Sequence, residues 1–92
     1  MNISVIIPAY NASETLGEAI ISVEQQHVQP FEVVVVNDGS TDATADVIQS
    51  FMGRLPLVCV NQTNAGLGAA RNAGMRAAKG DVWAFLDADD GW

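Results

Sequence analysis

Four short apolar runs, Ile3 to Ile7, Phe31 to Val36, Leu57 to Val60 and Val82 to Leu86, limit what this chain can fold into. Each is rich in β-branched residues and none alternates apolar with polar, the pattern of strands covered on both faces. Between the first two, Leu16, Ala19, Ile20 and Val23 fall at helical spacing, and Asn11 with Glu14 makes a capping box. The spacing predicts a helix over Ala12 to Gln26. Ser40 to Asp42 supply caps for a second helix with an apolar face of Val47, Ile48 and Phe51, ended by Gly53. A third helix is expected from Leu67 to Lys79, stopped by Gly80. The order β-α-β-α-β-α-β predicts an α/β fold: a mostly parallel, Rossmann-like sheet with helices on both faces, joined by right-handed crossovers. No linker or repeat interrupts it, so residues 1–92 read as one domain.

Composition narrows the function. A hydrophobic content of 49% excludes disorder, and 4 Lys+Arg against 11 Asp+Glu give a net charge of −7. Only Arg54, Arg71, Arg76 and Lys79 are cationic, too few for a face that neutralises a phosphate backbone, so nucleic acid is not an expected partner. The single cysteine, Cys59, lies in an apolar run with nothing cationic beside it. It reads as a small hydrophobe and fits a reducing compartment. Met1 to Ile7 carry no basic stretch, and no apolar run approaches the roughly 18 residues of a membrane span. A cytoplasmic domain with no membrane segment is expected.

In an open parallel sheet, ligands bind beyond the carboxyl ends of the strands. The residues there are polar: Pro8-Ala9-Tyr10-Asn11 after the first run, Asn37-Asp38-Gly39-Ser40 after the second, and Asp87-Ala88-Asp89-Asp90 after the fourth. Four carboxylates, Asp38, Asp87, Asp89 and Asp90, are thereby expected at one rim. Crowded like charges raise one another's pKa, and a divalent cation resolves the conflict. Mg2+ or Mn2+ suits such a site, completing its shell with water and diphosphate oxygens. The alternative is a solvated turn in which the aspartates cap backbone groups. Asp38 could accept a hydrogen bond from a base or ribose while Gly39 allows close approach, although Asp-Gly also makes ordinary turns.

The third helix holds Gly66, Gly68, Ala69, Ala70, Ala73, Gly74, Ala77 and Ala78 around Arg71. Glycine inside a helix costs about 1 kcal/mol relative to alanine, so Gly68 and Gly74 imply that backbone or ligand needs the space. Arg71 could reach a base or phosphate, or be a surface arginine; Tyr10 could lie against a planar base, or be a half-buried loop aromatic. His27 lacks a second His or Cys to share a metal and reads as a surface residue. Gly66-Leu67-Gly68 opens like a dinucleotide fingerprint, but Arg71 stands where the third glycine belongs, and no P-loop occurs.

Four stretches together resemble the family 2 glycosyltransferases, which have the A-type nucleotide-sugar-binding fold. They are Val5-Ile6-Ile7-Pro8-Ala9-Tyr10-Asn11, Val36-Asn37-Asp38-Gly39-Ser40-Thr41-Asp42, Asn64-Ala65-Gly66-Leu67-Gly68-Ala69-Ala70-Arg71-Asn72-Ala73-Gly74 and Phe85-Leu86-Asp87-Ala88-Asp89-Asp90. The resemblance implies that Pro8, Ala9, Tyr10 and Asn11, with Asp38 and Gly39, hold the base, that Arg71 supports that pocket, and that Asp87 approaches the ribose or bound water. It also implies that Asp89 ligates the cation bridging the diphosphate, with Asp87 and Asp90 close by. Asn37 departs from the pattern, where an acidic residue is common.

The implied activity is transfer of a sugar from a nucleoside diphosphate sugar, UDP foremost, to an acceptor hydroxyl with inversion, as in cell-envelope polysaccharide biosynthesis. The donor-binding half is then the part present; the acceptor half, the general base and often a Gln-x-x-Arg-Trp segment follow Trp92 in the family, and residues 1–92 alone are expected to be inactive. In the full-length protein, peripheral attachment at the inner face of the cell membrane is implied. Two rivals are a non-catalytic nucleotide-binding or assembly module and a nucleotidyltransferase. The latter usually has a Gly-rich basic loop after its first strand, which Pro8 to Ser13 lack. Finally, the fold resembled leaves the edge Val82 to Leu86 unpaired within these residues. That apolar edge predicts a homodimer with a continuous sheet, disrupted by a proline at Ala84.

Overall fold

A computed structural model describes residues 2–26 and 29–88. His27, Asp89, Asp90 and Trp92, on which the sequence raised expectations, lie outside the described residues. The elements run β1 (Ile3–Ala9), α1 (Leu16–Glu24), β2 (Glu32–Asp38), α2 (Thr44–Phe51), β3 (Leu57–Gln62), α3 (Leu67–Ala77) and β4 (Val82–Phe85). All pairings are parallel, in the order β3-β2-β1-β4.

The first two crossovers step the same way across the sheet and place α1 and α2 on one face, over a core of Ile7, Leu16, Ile20, Val33, Val35, Ile48 and Phe51. The third returns past β1 to the far side, so α3 covers the opposite face, where Ala70 and Ala73 pack on Ile6, Val34 and Val36. The strand order therefore reverses between β1 and β4, the place where parallel sheets open a crevice at their carboxyl rim.

Three strands run further toward that rim than their apolar runs. Pro8 pairs with Val36, Ala9 with Asn37, Asn37 with Asn61, and Asp38 with Gln62, so ladder hydrogen bonding carries the strands into polar sequence. The helices are shorter than expected. The capping box of Asn11 and Glu14 does not form: Asn11 takes a left-handed φ of 48° and its Oδ1 accepts the Thr41 amide at 2.7 Å, which delays α1 to Leu16. α3 ends at Ala77 because the next residues are drawn into a buried knot at the amino end of the sheet. There the Glu32 carboxylate accepts the Lys79 amide and, at 2.7 Å, the Ser4 hydroxyl, whose oxygen accepts the Gly80 amide at 2.8 Å. Every partner in this knot is satisfied, as burial of Ser4 and Glu32 requires.

The fourth strand corrects the expectation of burial on both faces. Val82, Trp83 and Phe85 are 40%, 50% and 45% exposed, because β4 is an edge that α3 does not reach across. The expected effect of a proline at Ala84 also changes. The Val82 and Leu86 amides donate inward to Asn2 and Ile6 of the β1 segment, so by two-residue alternation Ala84 also faces β1, and the outward amides are those of Trp83 and Phe85.

Candidate functional site: the carboxyl rim

Because all four strands are parallel, their carboxyl ends bring Tyr10, Asp38, Gln62 and Asp87 to one rim, together with the start of α3. The loops after β1 and β2 are laced together there. The Asn11 amide donates to Ser40 Oγ at 2.9 Å, the Ala12 amide to Thr44 Oγ1 at 2.9 Å, and the Ser13 amide to Asp42 Oδ2 at 3.2 Å. Asp42 also accepts the Thr44 amide at 2.9 Å and the Thr44 hydroxyl. Burial pushes the Asp42 carboxyl up, but the hydrogen bonds from Thr44 and Ser13 outweigh it and lower its pKa to about 2.

Asp38 is fully buried, and its carboxylate is engaged by the chain itself. Oδ1 accepts Gln62 Nε2 at 2.7 Å and the Ala65 amide at 2.9 Å; Oδ2 accepts the Gly66 amide at 2.9 Å. Asn64 Nδ2 donates to the Asp38 carbonyl at 3.1 Å. The open carboxylate expected at this position is thus a buried anchor for the β3-α3 loop, because β2 extends under that loop. Gly39 is needed beside it: at φ +71°, a Cβ would stand 2.5 Å from the Asn64 amide nitrogen.

Asp87 is the open carboxylate of the described rim. Its side chain and that of Arg71 are 43% and 42% exposed, with Arg71 Nη2 3.3 Å from Oδ2 and 3.4 Å from Oδ1. Such an exposed, loosely aligned pair is worth about 0–1 kcal/mol and yields readily to a stronger partner. Arg71 Nε is buried and has no hydrogen-bond partner. Tyr10 and Gly39 are half-buried at the same rim, whereas Pro8 and Ala9 are buried in the sheet. Among the described residues no group of three or more His, Cys, Asp or Glu side chains converges as a metal site. Of the four carboxylates expected at the rim, Asp38 and Asp87 are among the described residues.

Two glycines of α3 part ways. A Cβ on Gly74 would lie 2.4 Å from Ile6 Cγ2, so close packing on the sheet explains it; a Cβ on Gly68 would meet nothing within 4 Å outside its own helix among the described residues. Cys59 is a partly buried thiol whose pKa burial pushes up, in keeping with a packing role. Residues that the sequence reading gave no part in the rim now hold its frame: Gln62, Asn64 and Thr44. Their signal was faint, since each is a polar residue in or beside a loop and only the parallel register places it against Asp38 or Ala12.

No helix among the described residues is long and apolar enough to cross a membrane. In comparisons with known proteins, a glycosyltransferase from Nostoc sp. is 49% identical over 94 residues, covering all of this chain and 29% of that protein. Among solved structures, S. aureus TarS in complex with UDP-GlcNAc aligns with a TM-score of 0.90 at 36% identity, covering 97% of this chain and 27% of that one. The mannosyltransferase PcManGT from Pyrobaculum calidifontis, in complex with GDP-Man and Mn2+, aligns with a TM-score of 0.86 at 31% identity, covering 96% and 27%. The chain thus spans under a third of these relatives' length, and within that span its four-stranded parallel sheet and three helices match the solved structures. Residues 4–92 fit the glycosyl transferase family 2 profile, and the chain belongs to that family.

Proposed function

We propose that the chain is the donor-binding part of a metal-dependent glycosyltransferase that moves a sugar from a nucleoside diphosphate, UDP foremost, to an acceptor hydroxyl with inversion. The observation that carries this reading is the open Asp87 carboxylate, held loosely by Arg71 at the strand-order reversal, the first residue of the run Asp87-Ala88-Asp89-Asp90.

In this reading Tyr10 lies against the base and Arg71 reaches the base or a phosphate oxygen. Pro8 and Ala9 form the buried floor, Asn11 fixes the loop after β2, Gly39 permits close approach, and Asp38 acts through the loop it holds. Mg2+ or Mn2+ would be held by Asp89 with Asp87 and Asp90. The donor set fits a hard cation, because carboxylate oxygens are its preferred ligands and Asp87 is exposed. When bound, the cation would neutralise charge gathering on the departing diphosphate. No general base is assigned among residues 1–92, and this chain alone binds donor without transferring sugar. The single free thiol supports placement in the cytoplasm, with the full-length protein peripheral at the inner membrane face. The exposed β4 edge supports pairing with a second copy.

Calorimetry with UDP-GlcNAc and GDP-Man tests the proposal. At least one should bind with Mn2+ present and lose most of its affinity in chelator or in Asp89→Ala. Affinity indifferent to both would remove the metal role, and transfer to an acceptor abolished by Asp90→Ala would place the base within these residues.

A further inference from the structure

Resting on that reading, we infer that Thr15 is a positioning residue for Asp87, holding the backbone just after it from the α1 side. Thr15 stands immediately before α1, where a threonine ordinarily turns its oxygen onto the first free amides of its own helix. It makes no such bond. Its hydroxyl instead donates to the carbonyl oxygen of Ala88, 73 residues later in the chain. Ala88 is 5% exposed and its methyl belongs to the core cluster that includes Ala12 and Leu16.

These contacts define how the loop after β4 is set. The last ladder bond, from the Leu86 amide to the Ile6 carbonyl at 3.0 Å, fixes the backbone before Asp87. The Ala88 methyl and carbonyl fix it afterwards. Asp87 therefore sits between two anchored points, with Arg71 of α3 as the partner of its carboxylate. The bond to Thr15 therefore fixes the backbone immediately after Asp87. A ligand carboxylate whose backbone is held loses less freedom on binding its cation, and outer-shell partners of this kind commonly change metal affinity by about 10–100-fold. The threonine thus gives up a helix cap to brace a loop from another part of the chain.

Thr15→Val removes the hydroxyl and keeps the shape, and Thr15→Ser keeps the hydroxyl. Each would be titrated with Mn2+ and whichever of UDP and GDP the unaltered protein binds more tightly, and separately with the corresponding monophosphate. Thr15→Val should weaken the Mn2+-dependent diphosphate binding roughly tenfold, leave the monophosphate within about twofold, and be rescued by Thr15→Ser. Unchanged diphosphate binding in Thr15→Val, or equal losses on both ligands, would overturn the role. If Thr15→Val does not fold, a tenfold loss in Thr15→Ser would also overturn it, and retention in Thr15→Ser beside a loss in Thr15→Ala would support it. Failure of the unaltered protein to bind either diphosphate with Mn2+ would instead overturn the nucleotide reading itself. Loss in Asp89→Ala beside intact Thr15→Val would overturn only the brace.

Discussion

Asp38 is read from the sequence as a rim carboxylate and Asp42 as a helix cap, and both spend their oxygens on the chain itself. Asp38 accepts from Gln62, Ala65 and Gly66, and Asp42 from Ser13 and Thr44. For Asp42 the consequence is a dependence on pH. Its pKa is lowered from 3.8 to about 2, so its hydrogen bonds favour the folded chain fully above about pH 4, and that contribution disappears as pH falls toward 2. Asp42→Asn should lower the melting temperature at neutral pH and flatten the loss of stability between pH 4 and pH 2. Parallel melting curves across that range for the two proteins would contradict the clasp. A second residue-scale expectation concerns Gly39, where a side chain meets both a positive φ and the Asn64 backbone. Gly39→Ala should cost about 1–3 kcal/mol in denaturant unfolding. A neutral result would mean that the β3-α3 loop shifts freely.

At the level of elements, the strands and their parallel arrangement were legible because unbroken β-branched runs separated by amphipathic spacing leave few alternatives to a parallel sheet. Their ends were not. Asn37, Asp38, Asn61 and Gln62 read as loop by polarity, and only cross-strand register keeps them in the ladder. The start of α1 lies later than the spacing predicts for a related reason: Asn11 caps nothing locally because Thr41 takes its oxygen. The small residues of α3 carry two meanings. Gly74→Ala drives a methyl into Ile6 and should cost about 1–3 kcal/mol by overpacking. Gly68→Ala meets open space and should stabilise by up to about 1 kcal/mol through helix propensity. If Gly68→Ala stabilises while weakening nucleotide binding, the room at Gly68 serves a ligand. If Gly68→Ala destabilises, α3 is packed differently from this description.

For the whole molecule, the sheet is closed on neither side, but its edges differ. Trp83 and Phe85 share the α3 face beyond that helix's reach, while Ala84 and Leu86 border an apolar hollow of about 340 Å³ with Ile3, Val5, Val23 and Pro30. Both faces and the edge of β4 are thus underfilled, which favours addition of another strand. Residues 1–92 should therefore dimerise in light scattering. Phe85→Pro, which removes an outward amide and spares the bonds to β1, should give a monomer. A monomeric unaltered chain at crystallisation concentration would refute the pairing. The rim at the opposite end of the strands bears the central claim, and manganese can locate it directly. In an isotope-labelled chain, Mn2+ with UDP should broaden the amide resonances of Asp87 and Ala88 first, then those of Tyr10, Gly39 and Arg71, and chelator should restore them. Broadening centred on Glu32, Gly80 and Asp81 at the amino end of the sheet, or a pattern indifferent to UDP, would contradict a metal-dependent donor site at the carboxyl rim.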